Sequence, residues 1–212
     1  LYQYGEGQPG YLPLPPNSWG YDETLEDLVP KYDVEGAKKL LAEAGYPDGF
    51  TLEYYTGDSA TSKKIGEIFQ QFCSKIGVTV NINQAAWGTF SEIGASGNAD
   101  VIAMSWTWYP DPYFYLNKMF HEESLGTLGN GQQFNIPEVN DLLDQAVEIS
   151  DQEERAKLYK KAVKLIVEQY PQIDYAVANV CVGMNKNVQN YVVRPDKTIE
   201  VAGDGHNTWL AK

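Results

Sequence analysis

A dense group of aromatic side chains is the first feature of this sequence that suggests a binding site. The stretch SWTWYPDPYFYL carries six aromatic rings in twelve residues and follows a predicted strand at 100–106. In open α/β sheets, ligands bind beyond the C-terminal ends of the strands. No single period buries Trp106, Trp108 and Tyr109 together, so we expect these rings to form an exposed surface that holds a peptide or a sugar. The candidate ligand-binding residues are Trp106, Thr107, Trp108, Tyr109 and Asp111.

Asp111 has a local explanation as well as a possible role in binding. It precedes Pro112, and an Asp at the cap with a Pro in the first turn is typical of the start of a helix. The pattern therefore favours a structural role for Asp111 over a catalytic one. The spacing within the predicted helix places three apolar residues on a face that enters the core, namely Phe114, Leu116 and Phe120.

Charge and hydropathy narrow the classes of partner. Of the 212 residues, 16 are Lys or Arg and 29 are Asp or Glu, and the formal net charge is -13. This charge repels phosphate backbones and anionic lipid headgroups, so we predict no nucleic-acid partner. No apolar run approaches the roughly 18 to 20 residues of a membrane helix. The start, LYQYGEGQPG, lacks the pattern of a signal peptide, and we expect an excised or mature fragment.

The first half of the chain has the pattern of a βαβ unit. The predicted elements are a helix from Asp33 to Gly45, strands at 50–56 and 78–84 with a helix at 61–76 between them, a short helix at 86–96 and a strand at 100–106 with its apolar part at 101–104. Strands and a helix of these lengths favour a right-handed crossover and parallel pairing. The last strand is apolar on both faces, which is typical of a central strand.

The second half is predominantly helical by the same criteria. A Gly-rich loop at 124–135 is followed by a helix at 137–150 and by another that starts after Asp151, with Glu154 completing a capping box, and stops at Pro171. The residue stripes that we expect to face inward are Val139, Leu142, Leu143 and Ala146, then Ala156, Tyr159, Val163, Ile166, Val167 and Tyr170. Later segments, at 173–185 and 198–203, have an extended pattern.

The two cysteines are predicted to be small buried apolar residues. Cys73 lies on the inner face of a predicted helix and Cys181 in a predicted buried strand. A disulfide between them stays open at this point, because two cysteines alone do not define a framework.

Several motifs together resemble one known family. The segments YDVEGAKKLLAEAGYPDGF, KIGVTVNI, ADVIAMSWTWYPDPYFYL, NIPEVNDLLDQA and SDQEERAKLYKKAVKLIVEQYPQI occur in the order and spacing of the second lobe of the solute-binding proteins of oligopeptide, dipeptide and nickel ABC importers, extracellular solute-binding protein family 5. The similarity covers residues 5–195, and each motif is weak when taken alone.

The resemblance implies a fold, a division of the chain and partners. The fold would be α/β, a mixed sheet flanked by helices that forms one lobe of a two-lobed periplasmic-binding-protein fold (type II, cluster C). Residues 1–30 would be an irregular interlobe lead-in, 31–195 the ligand-binding lobe and 196–212 a return segment toward the missing first lobe. A peptide or other small solute would bind between the lobes and pass to a membrane ABC permease. The location would be extracytoplasmic, in the periplasm or on a lipid anchor, and no cofactor or metal is implied.

One position departs from the family pattern. Peptide-binding members carry an acidic residue between the strand-exit Trp and the Asp-Pro pair, and this acid pairs with the terminal ammonium of the ligand. Here Trp106 matches the Trp, whereas Trp108 or Tyr109 stands where the acid is expected. The departure favours a sugar, an apolar peptide or another neutral solute, with peptide as the family default.

Two other classes of function compete with a receptor lobe. A glycosidase would need two carboxylates beside the aromatic rings. The two histidines, His121 and His206, do not form a HExxH motif, and the sequence lacks GxSxG and Cys-His metal spacing. GTLGNG at 126–131 does not connect a strand to a helix, so we interpret it as a flexible loop. We therefore predict no enzyme activity. A protein-interaction domain would use the same exposed rings, and it overlaps with a lobe that docks on a missing lobe.

Overall fold

Helices and parallel strands alternate in the first half of the chain, and further helices follow. The computed structural model describes residues 7–107, 111–194 and 207–211. Its helices are α1 (Val34–Glu43), α2 (Ala60–Ser74), α3 (Trp87–Ser96), α4 (Tyr113–Phe120), α5 (Pro137–Glu148) and α6 (Gln152–Val167). Its strands are β1 (Thr51–Gly57), β2 (Thr79–Ala85), β3 (Val101–Ala103), β4 (Val188–Gln189) and β5 (Trp209–Leu210), and two short 3-10 helices span Glu23–Leu28 and Glu122–Ser124.

The sheet confirms the predicted α/β class and the parallel βαβ unit. β1 pairs in parallel with β2 along its whole length, from Thr51 opposite Thr79 to Gly57 opposite Ala85. α2 covers this pair and approaches it closely at Gly66, where an added Cβ would lie 3.0 Å from the Tyr54 ring. A separate antiparallel pair joins β4 to β5.

The prediction that 101–104 is the central strand was wrong. The strand order is β2-β1-β3, so β1 is central and β3 lies at one edge of the described sheet. β3 is apolar on both faces because it lies between two cores. Val101 and Ala103 pack against the core of the sheet, whereas Met104, just beyond the strand, packs against the core of the helices.

The larger core is formed by the helices and by the start of the chain. α4, α5 and α6 contribute residues such as Leu116, Leu143 and Ile166, all without exposed surface. Leu12 and Leu14, from the predicted lead-in at 1–30, are buried in the same core. The lead-in, as far as it is described, has no regular element except a 3-10 helix, and its apolar side chains hold it against α6.

The predicted helix starts are confirmed by their caps. The Asp33 side chain accepts a hydrogen bond from Gly36 N, and the Asp151 side chain accepts one from Glu154 N. These contacts satisfy amide groups that have no partner inside the helix, and each stabilises the helix start by about 1 kcal/mol. α5 begins at Pro137, whose missing N–H costs nothing in the first turn.

Several residues that we expected to be buried are exposed. Phe114 on α4 and Tyr170 after α6 are more than half exposed, although we placed both on inner faces. Cys181 is exposed and lies outside any strand, while Cys73 is half-buried on α2, and both cysteines are free. Leu40 on α1 is also exposed, and α1 buries no residue completely.

The Gly-rich loop predicted at 124–135 is organised around a buried amide. Asn130 has no exposed surface, and its Nδ2 donates to the carbonyl oxygens of His121 and Phe134 at 3.1 and 2.8 Å. Its Oδ1 accepts from Phe134 N at 2.8 Å. A single side chain therefore connects the residues on either side of the loop. Asn130 itself belongs to the segment 126–131, which we interpreted as flexible.

The last part of the chain is described only in pieces. The extended segment after α6 makes one isolated antiparallel bridge, between Val177 and Gln8. Residues 198–203 lie outside the described residues, as does most of the predicted return segment at 196–212. Among the described helices, none combines the length and the apolar character needed to cross a bilayer.

Candidate ligand-binding surface

The strand-exit surface, as far as it is described, consists of Trp106 and Thr107, which follow the C-terminal end of the parallel strand β3. Trp106 and Thr107 are half-buried, and Trp106 packs against the helical core. Trp108 and Tyr109, the other predicted rings, lie outside the described residues. Trp106 and Thr107 therefore follow the carboxyl end of a parallel strand, which is the edge of an open α/β sheet where ligands generally collect.

Asp111 forms a two-pronged ion pair with Arg155, a residue that sequence reasoning did not single out. Arg155 Nη1 lies 2.9 Å from Asp111 Oδ2, and Nη2 lies 3.0 Å from Oδ1. Oδ1 also accepts a hydrogen bond from Tyr113 N at 2.9 Å, which caps the start of α4. The carboxylate therefore links the start of α4 to the first turn of α6.

Arg155 has further contacts besides Asp111. Its Nε donates to the Ala146 carbonyl oxygen at 3.0 Å, and Nη2 donates to Tyr159 Oη at 2.8 Å. The guanidinium carbon lies 5.2 Å from the Trp19 ring centroid and 5.5 Å from that of Tyr159, within the range of cation–π attraction. One side chain thus joins α5, α6, the lead-in and the strand exit.

These contacts favour the charged form of Arg155. Burial is the largest single influence on its pKa and lowers it, but the hydrogen bonds to Tyr159 and Asp111 together raise the pKa above its usual value. Sequence alone gave no sign of the pair, because its members are 44 residues apart. The Asp that precedes Pro112 was visible, but its partner was not.

His121, one of the two histidines weighed as catalytic candidates, has a structural position. It is 3% exposed, and its Nδ1 accepts a hydrogen bond from Glu123 N at 3.2 Å, which caps the second 3-10 helix. Nε2 lies 3.3 Å from Asp144 Oδ1, but without the alignment of a hydrogen bond. His206 lies outside the described residues.

A second polar cluster lies after the end of α6. Gln172 Nε2 donates to both carboxylate oxygens of Asp174, at 2.8 and 2.9 Å, and lies 3.3 Å from Tyr115 Oη. Burial raises the pKa of Asp174, and the hydrogen bond from Gln172 only partly offsets this. Burial, followed by the charge of Asp174, raises the pKa of Tyr115 as well. No sequence motif pointed to this cluster.

Curated proteins with similar sequences are binding proteins by name. The chain is 32% identical to heme-binding protein A of Haemophilus influenzae and 28% identical to the dipeptide-binding protein of Escherichia coli, over 201 residues in each case. Each match covers 92% of this chain but only 36% and 37% of the relative. The chain thus spans little more than a third of the length of these proteins.

Solved structures share the fold. HbpA2 from Haemophilus parasuis superposes with a TM-score of 0.85 at 28% identity, over 99% of this chain and 41% of that protein. DppA from Helicobacter pylori in complex with the peptide STSA gives 0.80 at 29% identity, over 98% of this chain and 40% of that protein. The dipeptide-binding protein of Pseudoalteromonas sp. SM9913 in complex with Met-Leu gives 0.82 at 27%, over 99% and 41%.

The sequence model of one family matches more than half of this chain. Its description is bacterial extracellular solute-binding proteins, family 5 middle, and it matches residues 1–126. The match includes the βαβ unit, the strand exit and α4, and so three of the five segments that carried the resemblance. The chain therefore belongs to the bacterial extracellular solute-binding proteins of family 5.

Proposed function

We propose that this chain is a ligand-binding lobe of an ABC-importer receptor, which captures a peptide or a similar small solute and delivers it to a membrane permease. The observation that carries the proposal is the position of Trp106 and Thr107. They follow a parallel strand and are only partly buried, in a fold shared with two proteins solved with bound peptides. The role is binding, without chemistry on the solute.

The rest of the binding site would come from another lobe of the same receptor. The chain covers about two fifths of the two peptide-bound structures, 40% and 41%. Closure of two rigid lobes over a solute would bury it on both sides, and the closed form is then what a permease recognises. The family is described as extracellular. We place the receptor outside the cytoplasm accordingly, in the periplasm or on a lipid anchor.

Replacing Trp106 by Ala in the full-length receptor is expected to weaken solute binding about 30-fold, because a central aromatic contact contributes about 2 kcal/mol. The solute is first found by thermal-shift screening with Met-Leu, the tetrapeptide STSA and a neutral disaccharide, since a ligand of the folded state raises its stability. Calorimetry then measures the dissociation constants.

The matched control for this test is Phe114→Ala. Phe114 is another exposed aromatic residue only eight positions away, but it lies on α4 beyond the strand exit. Its replacement is expected to change the affinity by no more than about twofold. An equal or reversed ranking of the two variants would move the binding surface away from the strand exit.

The pairing of Asp111 favours a neutral solute as a second candidate. Its carboxylate is shared between Arg155 and Tyr113 N, so its charge is already balanced and it is a poor partner for a ligand ammonium. If the solute is a peptide, acetylation of its amino terminus is therefore expected to change the affinity by less than about threefold. If the terminal ammonium of the peptide instead forms a buried ion pair with the receptor, acetylation removes that pair, and calorimetry would show an affinity about 30-fold lower or more.

A further inference from the structure

A cavity of about 300 Å³ lies where the lead-in meets the end of α6. Its walls are apolar and come from prolines, aromatic rings and aliphatic side chains, among them Tyr11, Val29 and Ile166. Ile166 is eleven residues from Arg155 on the same helix, which separates the cavity from the ion pair of the strand exit by roughly 16 Å along α6. This volume is at the lower end of the range for small-molecule sites.

One carboxylate stands in this apolar wall. Within the described part of the chain, Asp174, which is partly buried, is the only acidic residue that lines the cavity, and Gln172, which holds both of its oxygens, lines it as well. Among the residues that the structure describes, no Lys or Arg forms an ion pair with Asp174. Its neighbours are neutral, namely the Gln172 amide and the Tyr115 hydroxyl.

A carboxylate in such surroundings lacks the charge that would balance it. Removing an ionised group from water is costly unless a cation compensates, and a neutral amide compensates only in part. The raised pKa of Asp174, caused mainly by burial, reflects this imbalance. A positive group that entered the cavity would restore the balance, while the apolar walls would take up the body that carries it.

We propose that this cavity is a binding site for a small organic cation, an ammonium group on a short apolar body, with Asp174 as the counter-ion and Gln172 as the residue that orients the carboxylate. The site uses residues of the lead-in and the end of α6, and it does not depend on the solute bound at the strand exit. The ammonium could belong to a free amine or to a lysine side chain of a polypeptide, since both present the same charge on an apolar stem.

Titration calorimetry of the chain with benzylammonium tests the proposal, with Nα-acetyl-lysine N-methylamide as the arm that represents a polypeptide lysine. Saturable binding of one of the two is expected, and the stronger ligand identifies the source of the cation. Asp174→Asn is expected to weaken that binding about tenfold or more, because it removes a charge-assisted contact. Benzyl alcohol, which has the same ring without the charge, is expected to bind at least about tenfold more weakly than benzylammonium.

Asp141→Asn is the matched control, since Asp141 is an exposed acid on α5 and its loss changes the net charge by the same amount. It is expected to leave the affinity for the amine within about twofold. The proposal is overturned if neither amine binds, if benzyl alcohol binds as well as benzylammonium, or if the two Asn variants bind alike.

Thermal unfolding shows whether Asp174→Asn still folds. Because the folded-state pKa of Asp174 lies above its ordinary value, the ionised carboxylate weakens the fold at neutral pH. The penalty disappears below the ordinary pKa, where the group is protonated in both folded and unfolded chains. Asp174→Asn is therefore expected to unfold at a higher temperature than the parent chain at neutral pH and at the same temperature near pH 3.

Discussion

Phe120→Ala is expected to lower the free energy of unfolding by about 3 to 5 kcal/mol, the range for removing a large buried ring. Phe120 has no exposed surface and makes an edge contact with Phe134, with ring centroids 5.5 Å apart. Phe120 also makes an edge contact with Tyr115, with ring centroids 6.2 Å apart. Its loss would leave a cavity at the centre of the helical core, and equilibrium unfolding in urea measures the effect.

Phe114→Ala is the control within the same helix. The two residues are chemically identical and six positions apart on α4, but Phe114 is 56% exposed. The expected loss is about 0.5 kcal/mol, as for other surface substitutions. Similar losses for both variants would mean that the face of α4 turned toward the core is not the one that Phe120 and Leu116 share.

Arg155→Met is expected to lower the free energy of unfolding by about 3 kcal/mol. The change removes one partner of a partly buried ion pair, and it leaves the Asp111 carboxylate and the Ala146 carbonyl without the donors that Arg155 supplies. Met keeps much of the apolar stem of Arg155, so the loss reports mainly on the guanidinium, including its contact with the Trp19 ring. Equilibrium unfolding at neutral pH measures it.

A double-mutant cycle with Asp111→Asn isolates the pair. Asn can still accept the hydrogen bond from Tyr113 N, so this change removes the charge and keeps the cap of α4. A coupling energy of about 1 to 3 kcal/mol between positions 111 and 155 is expected. Additive losses would show that the two side chains act independently.

The exposed pair on the same helix supplies the comparison for Arg155. Lys157 Nζ lies 2.6 Å from Glu154 Oε1, but both side chains are largely in water. Such pairs contribute little because water and salt screen them. Lys157→Met is therefore expected to have no resolvable effect on unfolding, although its ion pair is shorter than that of Arg155.

The sequence alone determined the elements that depend on local bonds. The caps at Asp33 and Asp151 were predictable because each bond joins residues three positions apart. The parallel βαβ unit followed from the lengths of its strands and helix, and the motif order indicated the family. The inner face of α5 was also predicted, since Val139, Leu143 and Ala146 recur at the helical period and are buried.

Only the tertiary structure decided which faces and which distant residues meet. The core covers the side of α4 that carries Leu116 and Phe120, whereas Phe114, about 120° around the helix from Phe120, is exposed. The partner of Asp111 lies 44 residues away. Periodicity describes the faces of one element, whereas contacts between elements are set by how all of them pack. For that reason the sequence pointed to Asp111 at the start of α4, while its partner Arg155 was visible only in the fold.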